Sequence, residues 1–169
     1  MASSGVGNSN HLAGEIFKAM AGVDIVGIAY KGAQLALTDV LGGRVQLMFA
    51  TVNSSQAHVA SGRLRAIAVT TERPTRLLPG VPTVASAGLP GYESAATLGL
   101  LSRAGTPPAI LDLLHREIAQ FLKMPETTER LFNAGIDVVA STPQAFAAMI
   151  KAEMALKGKI IKSAGISMN

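Results

Sequence analysis

The 169-residue chain has no cysteine. That excludes a disulfide framework and thiolate metal sites, and it suits an oxidising compartment as readily as the cytosol. Charge is scarce too: Asp, Glu, Lys and Arg make up 15% of the chain, against about 25% in an average soluble domain. Aromatic residues number only two Tyr and five Phe. No apolar run reaches the ~18 to 20 residues of a membrane helix, because glycine, proline or charge interrupts each one. The opening residues MASSGVGNS carry neither a basic segment nor an apolar core, so they are not read as a secretory leader. Taken as written, the chain would stay in the cytoplasm. What remains plentiful is apolar residue, 49% of the total. That fits one full domain or two small lobes, with apolar surface available for a partner.

The formal net charge is +4. The bases are scattered, with Arg63, Arg65, Arg73 and Arg76 in the middle and Lys151, Lys157, Lys159 and Lys162 near the end. No nucleic-acid-binding motif accompanies them, so nucleic acid is not expected as a partner. A mild positive field suits a small organic anion.

The most informative stretch is Ser3 to Glu15, SSGVGNSNHLAGE. A loop with Gly5 and Gly7 runs straight into an apolar-periodic helix starting near Ser9 to His11. Such a junction points free amides and the positive end of the helix dipole at one spot, which attracts a carboxylate or phosphate. A loop of this kind ordinarily follows a β-strand, and only Met1 and Ala2 precede it here.

Helix and strand signals then alternate. His11 to Ala21 has helical spacing and stops at Gly22. Ile25 to Tyr30 reads as a strand, Ala33 to Leu41 as a helix stopped by Gly42 and Gly43, and Val45 to Ala50 as a second strand. Asn53 to Ser61 reads as a helix and Leu64 to Thr70 as a third strand. Apolar rather than alternating strands in a βαβαβ order predict a parallel-rich sheet with helices on both faces, an α/β fold. Four prolines between Glu72 and Tyr92 mark an irregular connector with one short helix near Val84 to Ala87. Beyond it, Leu98 to Ser102 and Ile136 to Val139 read as strands. Thr106 and Thr142, each followed by proline, are expected to cap helices reaching about Leu122 and Ser163. A short helix lies between them, near Pro125 to Ala134.

Four strings carry a resemblance: SSGVGNSNHLAGEIFKAMAGVDI, YKGAQLALTDVLGGRVQLMF, GRLRAIAVTTERPTRLLPGVPTVASAGLPGYE and LLSRAGTPPAILDLLHREI. In this order and spacing the chain resembles the Bug family, the extracytoplasmic solute receptors of tripartite tricarboxylate transporters. The resemblance implies a type II periplasmic binding protein-like fold in which two α/β lobes close on a di- or tricarboxylate. It also implies a periplasmic location, a membrane permease as partner, no enzymatic activity and no cofactor. Family members are about twice as long, so an incomplete, N-terminally truncated two-lobe architecture is expected. Residues 2–71 would form most of lobe two, 72–97 the interlobe connector and 98–169 the C-terminal return portion of lobe one. A homodimer or segment swap is expected to cover the surfaces that truncation leaves bare.

The resemblance carries ligand contact onto Ser3, Gly5, Gly7, Ser9 and Asn10, which match the family loop. His11 is either a ligand contact or a structural donor at the helix start. Tyr30 and Lys31 match the family's YKG at a strand end, where ligands sit in open α/β folds. Tyr30 would close over the ligand or bridge to it through water, and Lys31 is either a contact or a solvated amine. Thr51 and Asn53 remain as donors at the next strand end, where many relatives carry an acid before an asparagine and this chain has Ala50-Thr51. Losing that acid disfavours an amino-acid ligand. His58 and His115 fall on separate predicted helices, so no metal is expected. Two other readings of the glycine loop stay open: a phosphate-binding α/β enzyme, although neither GxxxxGK[ST] nor GxGxxG is present, and a small-molecule sensor module.

Overall fold

The computed structural model describes residues 1–163. The chain divides into two compact units. One runs from Met1 to Ala96 and includes the end of the last helix from Lys157; the other is Thr97–Leu156. Of the expected segment 98–169, residues 164–169 lie outside the described residues.

The first unit is built around a very short parallel pairing. Strand β1 (Ala2–Ser3) pairs with β2 (Ile28–Ala29), Ala2 opposite Ile28 and Ser3 opposite Ala29. On its other side Ala2 makes a parallel bridge to Met48 and donates its amide to the Leu47 carbonyl at 2.8 Å. So β1 is the middle of three parallel segments, and each is followed by a helix: α1 (Ser9–Ala21), α2 (Ala33–Leu41) and α3 (Val52–Ala60). Parallel neighbours need such crossovers, and the loops entering the three helices therefore lie along one edge of the pairing.

Sequence signals set the helix limits. Helix α1 buries Ala13 and Ile16 and stops at Gly22, whose φ of 65° only glycine adopts freely and whose amide closes on the Lys18 carbonyl. Helix α2 lays Ala36 and Leu37 into the interior. The small core joins Ala2, Ala36 and Val45, with Tyr30, Val40 and Met48 packed against it. A second buried group lies under α1. Tyr92 is 1% exposed and donates its hydroxyl to the Ala13 carbonyl at 2.9 Å. Its ring meets Phe17 edge-on, and Phe17 in turn meets Phe49.

The strands are shorter than expected. Ile25 to Tyr30 contributes only Ile28 and Ala29, and Val45 to Ala50 only the bridge at Met48. Leu64 to Thr70 pairs through Val69 alone, and with Thr83 of the connector rather than with β1 or β2. The expected helix near Val84 to Ala87 is a turn, because the Thr83 and Ser86 hydroxyls exchange hydrogen bonds with each other's backbone and lock it.

The second unit holds α4 (Pro108–Leu122), α5 (Pro125–Asn133) and the first part of α6 (Pro143–Ser163). Thr142 caps α6 as expected, its hydroxyl accepting the Ala145 amide at 3.2 Å. Thr106 does not cap α4; its hydroxyl donates backwards to the Arg103 carbonyl at 2.7 Å, and Pro107 takes the N-cap position. Neither Leu98 to Ser102 nor Ile136 to Val139 forms a strand. A strand needs a neighbour to satisfy its backbone, and no strand occurs among the described residues of this unit.

Candidate functional site

The loop between β1 and α1 is shaped by its own polar side chains. The Ser4 hydroxyl donates to the Asn10 side-chain oxygen at 2.9 Å, which also accepts the His11 amide at 3.0 Å. The Asn8 side-chain amide donates to the Ser4 carbonyl and hydroxyl at 3.1 and 3.2 Å. The Gly7 amide donates to His11 Nδ1 at 3.3 Å. Gly5 (φ 142°) and Gly7 (φ 79°) occupy conformations that side chains disfavour, and a Cβ on Gly5 would press on the Asn8 side chain at 3.0 Å.

This network engages the side chains of Asn8 and Asn10 within the loop and leaves the helix start without a side-chain cap. Asn8 sits at the N-cap position, yet its side chain makes no capping bond. The amides of Ser9 and Asn10 have no acceptor among the described residues. Ser3 is 1% exposed, and its hydroxyl has no partner among the described residues. A buried hydroxyl without a partner costs about 1–3 kcal/mol. The loop is therefore a collection of donors lacking an acceptor, at the positive end of a 13-residue helix.

The second predicted element lies beside the first. The Tyr30 amide donates to the Ser3 carbonyl at 2.9 Å and the Gly32 amide to the Ser4 carbonyl at 3.2 Å. Lys31 is thereby held next to the glycine loop, with its side chain exposed. The Tyr30 hydroxyl is engaged elsewhere: it donates to Asp39 Oδ2 at 2.8 Å, while Arg44 donates to Asp39 Oδ1 at 2.8 Å. The Arg44 and Tyr30 hydrogen bonds hold the Asp39 carboxyl below its ordinary range, and the bond to Asp39 pushes the Tyr30 hydroxyl up. Sequence reasoning missed this Tyr30–Asp39–Arg44 group. The only signal was a spacing of nine positions from Tyr30 to Asp39, which does not by itself imply contact.

Thr51 and Asn53 follow the third parallel segment and are exposed. The Thr51 hydroxyl lies 3.0 Å from the Ser54 hydroxyl at the start of α3. Thus Ser3, Gly5, Gly7, Ser9, Asn10 and His11 form one loop, Tyr30 and Lys31 adjoin it, and Thr51 and Asn53 stand at the end of the neighbouring segment. Sequence reasoning passed over the anchoring roles of Ser4 and Asn8, although both lie within the loop. Elsewhere in this unit a groove of about 370 Å³ is lined by Gln56, Ala57, Val59, Ala60, Leu77 and Leu78. It offers no charged side chain and does not suit a carboxylate. Among the described residues, no three of His, Cys, Asp and Glu come together as metal ligands. None of the described helices is long and apolar enough to cross a membrane.

Comparison with known proteins places this geometry in context. The family model "Tripartite tricarboxylate transporter family receptor" matches residues 1–166. The UPF0065 protein of the tcbD–tcbE intergenic region of Pseudomonas sp. strain P51 is 34% identical over 99% of this chain and 50% of its own. The UPF0065 protein of the clcB–clcD intergenic region of Pseudomonas knackmussii is 34% identical over 94% of both. Among solved structures, R. palustris Rpa4515 with adipate superposes with a TM-score of 0.88 at 36% identity, covering 98% of this chain and 56% of its own. The periplasmic binding protein BugD superposes with a TM-score of 0.80 at 30% identity, again covering 98% and 56%. The chain therefore spans about half the length of the first of these relatives and a little over half of both solved structures.

Proposed function

Since this chain belongs to the tripartite tricarboxylate transporter receptor family, we propose that it takes part in periplasmic capture of a small organic acid, a di- or tricarboxylate, for a membrane permease. It binds and does no covalent chemistry. In this reading residues 2–71 are most of lobe two, 72–97 the connector and 98–169 the return portion of lobe one.

The observation that carries the reading is the uncapped start of α1. Anchored by Ser4, Asn8 and Asn10, the loop presents amides at Ser9 and Asn10 that lack acceptors among the described residues, and the buried Ser3 hydroxyl of the preceding strand also lacks a partner among them. A carboxylate supplies the missing acceptors, and charge-assisted bonds from amides are the stronger kind. Gly5 and Gly7 let it approach the backbone, and the Lys31 ammonium adds charge from the adjoining turn. Adipate, bound in the structure of the R. palustris relative, is the first ligand to test. One jaw encloses a ligand poorly, so affinity rests on few contacts and is weak. A homodimer or segment swap would bring two copies of the same jaw together and no second kind of jaw.

The test is a titration of the 15N-labelled chain with adipate into the millimolar range, following amide chemical shifts. Saturable shifts are expected at Gly5 to His11 and at Lys31, and Ser9→Ala should weaken them. A folded chain whose loop amides ignore adipate, succinate and citrate alike would overturn the reading.

A further inference from the structure

His11 is the third residue of α1 and is half-buried. Its sequence context leaves two roles open, a ligand contact or a structural donor. In the structure the ring is an acceptor: Nδ1 takes the Gly7 amide at 3.3 Å. A ring nitrogen that accepts carries no proton, so this bond needs the neutral imidazole with its proton on Nε2.

The arrangement is one half of a capping box. In that device the side chain at the third helical position accepts a backbone amide at the helix entrance, and the N-cap side chain accepts the third amide in return. With Asn8 at the N-cap, the His11 ring takes the amide one residue before it. The return bond is absent. Asn8 gives its side-chain amide to Ser4, and the His11 amide goes to the Asn10 side-chain oxygen at 3.0 Å. Glu15, one turn further along α1, spends both carboxylate oxygens on Lys18 at 3.0 and 3.1 Å.

These bonds decide which donors of the loop are used up. The amides of Gly7 and His11 are engaged, and those of Ser9 and Asn10 between them lack acceptors among the described residues. Gly7 has a φ of 79°, and the His11 ring is the acceptor its amide finds among the described residues. We propose that His11 is a positioning residue of the carboxylate loop and not a contact of the ligand. Its Nδ1 holds the Gly7 amide, which fixes the path of residues 5–8 and leaves the Ser9 and Asn10 amides for the anion. The inference rests on the carboxylate reading of that loop. The competing role, a donor to the ligand, would use Nε2.

Two substitutions separate the nitrogens. His11→Asn keeps an acceptor at about the reach of Nδ1 and has no atom at the place of Nε2. His11→Phe keeps a planar ring and has neither nitrogen, and His11→Ala makes the same loss without a ring. Amide exchange and adipate titration are run on all four chains at about pH 8, where an ordinary histidine is neutral. In the free chains, the Gly7 amide should exchange at the parental rate in His11→Asn. It should exchange about fivefold faster in His11→Phe and His11→Ala, the factor for one hydrogen bond of ordinary net strength. Adipate affinity should follow the same order, kept in His11→Asn and lowered about fivefold in the other two. A His11→Asn chain that loses as much affinity as His11→Phe overturns the proposal. So does a Gly7 exchange rate that neither His11→Phe nor His11→Ala changes. A parent chain whose loop ignores adipate, succinate and citrate overturns the carboxylate reading instead, and the Gly7 rates, taken without ligand, then decide the role of His11 alone.

Discussion

At the scale of single residues, the site is defined by which polar groups have partners. Ser4, Asn8 and Asn10 spend their hydrogen bonds on one another, whereas Ser3 and the first amides of α1 keep theirs. Tyr30 shows the opposite outcome. Its place at a strand end suggests a ligand contact, but its hydroxyl is held by Asp39. That bond makes a pH prediction. The Asp39 carboxyl is depressed below its ordinary 3.8 by hydrogen bonds from Arg44 and then from Tyr30. A depressed carboxyl stabilises the fold above its unfolded pKa, and the contribution is lost as pH falls through the folded pKa. Asp39→Asn should therefore lower the melting temperature at pH 7, and the gap from the parent chain should close on acidification below the ordinary carboxyl range. A gap that stays constant down to about pH 3 would show that Asp39 acts through packing rather than charge.

At the scale of elements, helices were legible and strands were not. A helix satisfies its backbone internally, so apolar spacing and end signals sufficed for all six helices, α1 to α6, to within a residue or two. A strand depends on what lies beside it. The apolar runs Leu64 to Thr70 and Leu98 to Ser102 look alike in sequence, yet the first finds one partner at Thr83 and the second finds none among the described residues. The candidate site was legible as a glycine loop before a helix. Its neighbour at Tyr30 and Lys31 came from a matching motif, and the Asp39 tie needed coordinates. Caps divide in the same way. Thr142 and Thr106 both precede proline, but only Thr142 accepts an amide of its helix. Thr142→Ala should cost about 1 kcal/mol in chemical denaturation, within the usual range for a lost cap. Thr106→Ala should cost distinctly less, since it removes only an exposed bond to Arg103. Equal losses would mean that the two hydroxyls do the same work.

At the scale of the whole molecule, burial is unevenly shared. Every buried hydrophobic residue among those described lies between Met1 and Tyr92. Tyr92 is the keystone of that half: it ties the connector to α1 across 79 residues through its hydroxyl and packs its ring against Phe17. The Ala13 carbonyl accepts the bond inside the protein, and burial pushes the Tyr92 hydroxyl pKa up, so the phenol stays protonated and able to donate through neutral and moderately alkaline pH. Tyr92→Phe keeps the ring and loses the donor, which should cost about 1 kcal/mol. Tyr92→Ala also opens a cavity and should cost ~3–5 kcal/mol. Native-state amide exchange reads both effects. Protection in α1 and α2 should fall in proportion to these losses. Amides of α4 and α5, which start less protected because nothing around them is buried, should be little changed. If Tyr92→Ala instead deprotected α4 and α5 to the same degree as α1, the chain would unfold as one cooperative block. The uneven burial would then have no counterpart in stability.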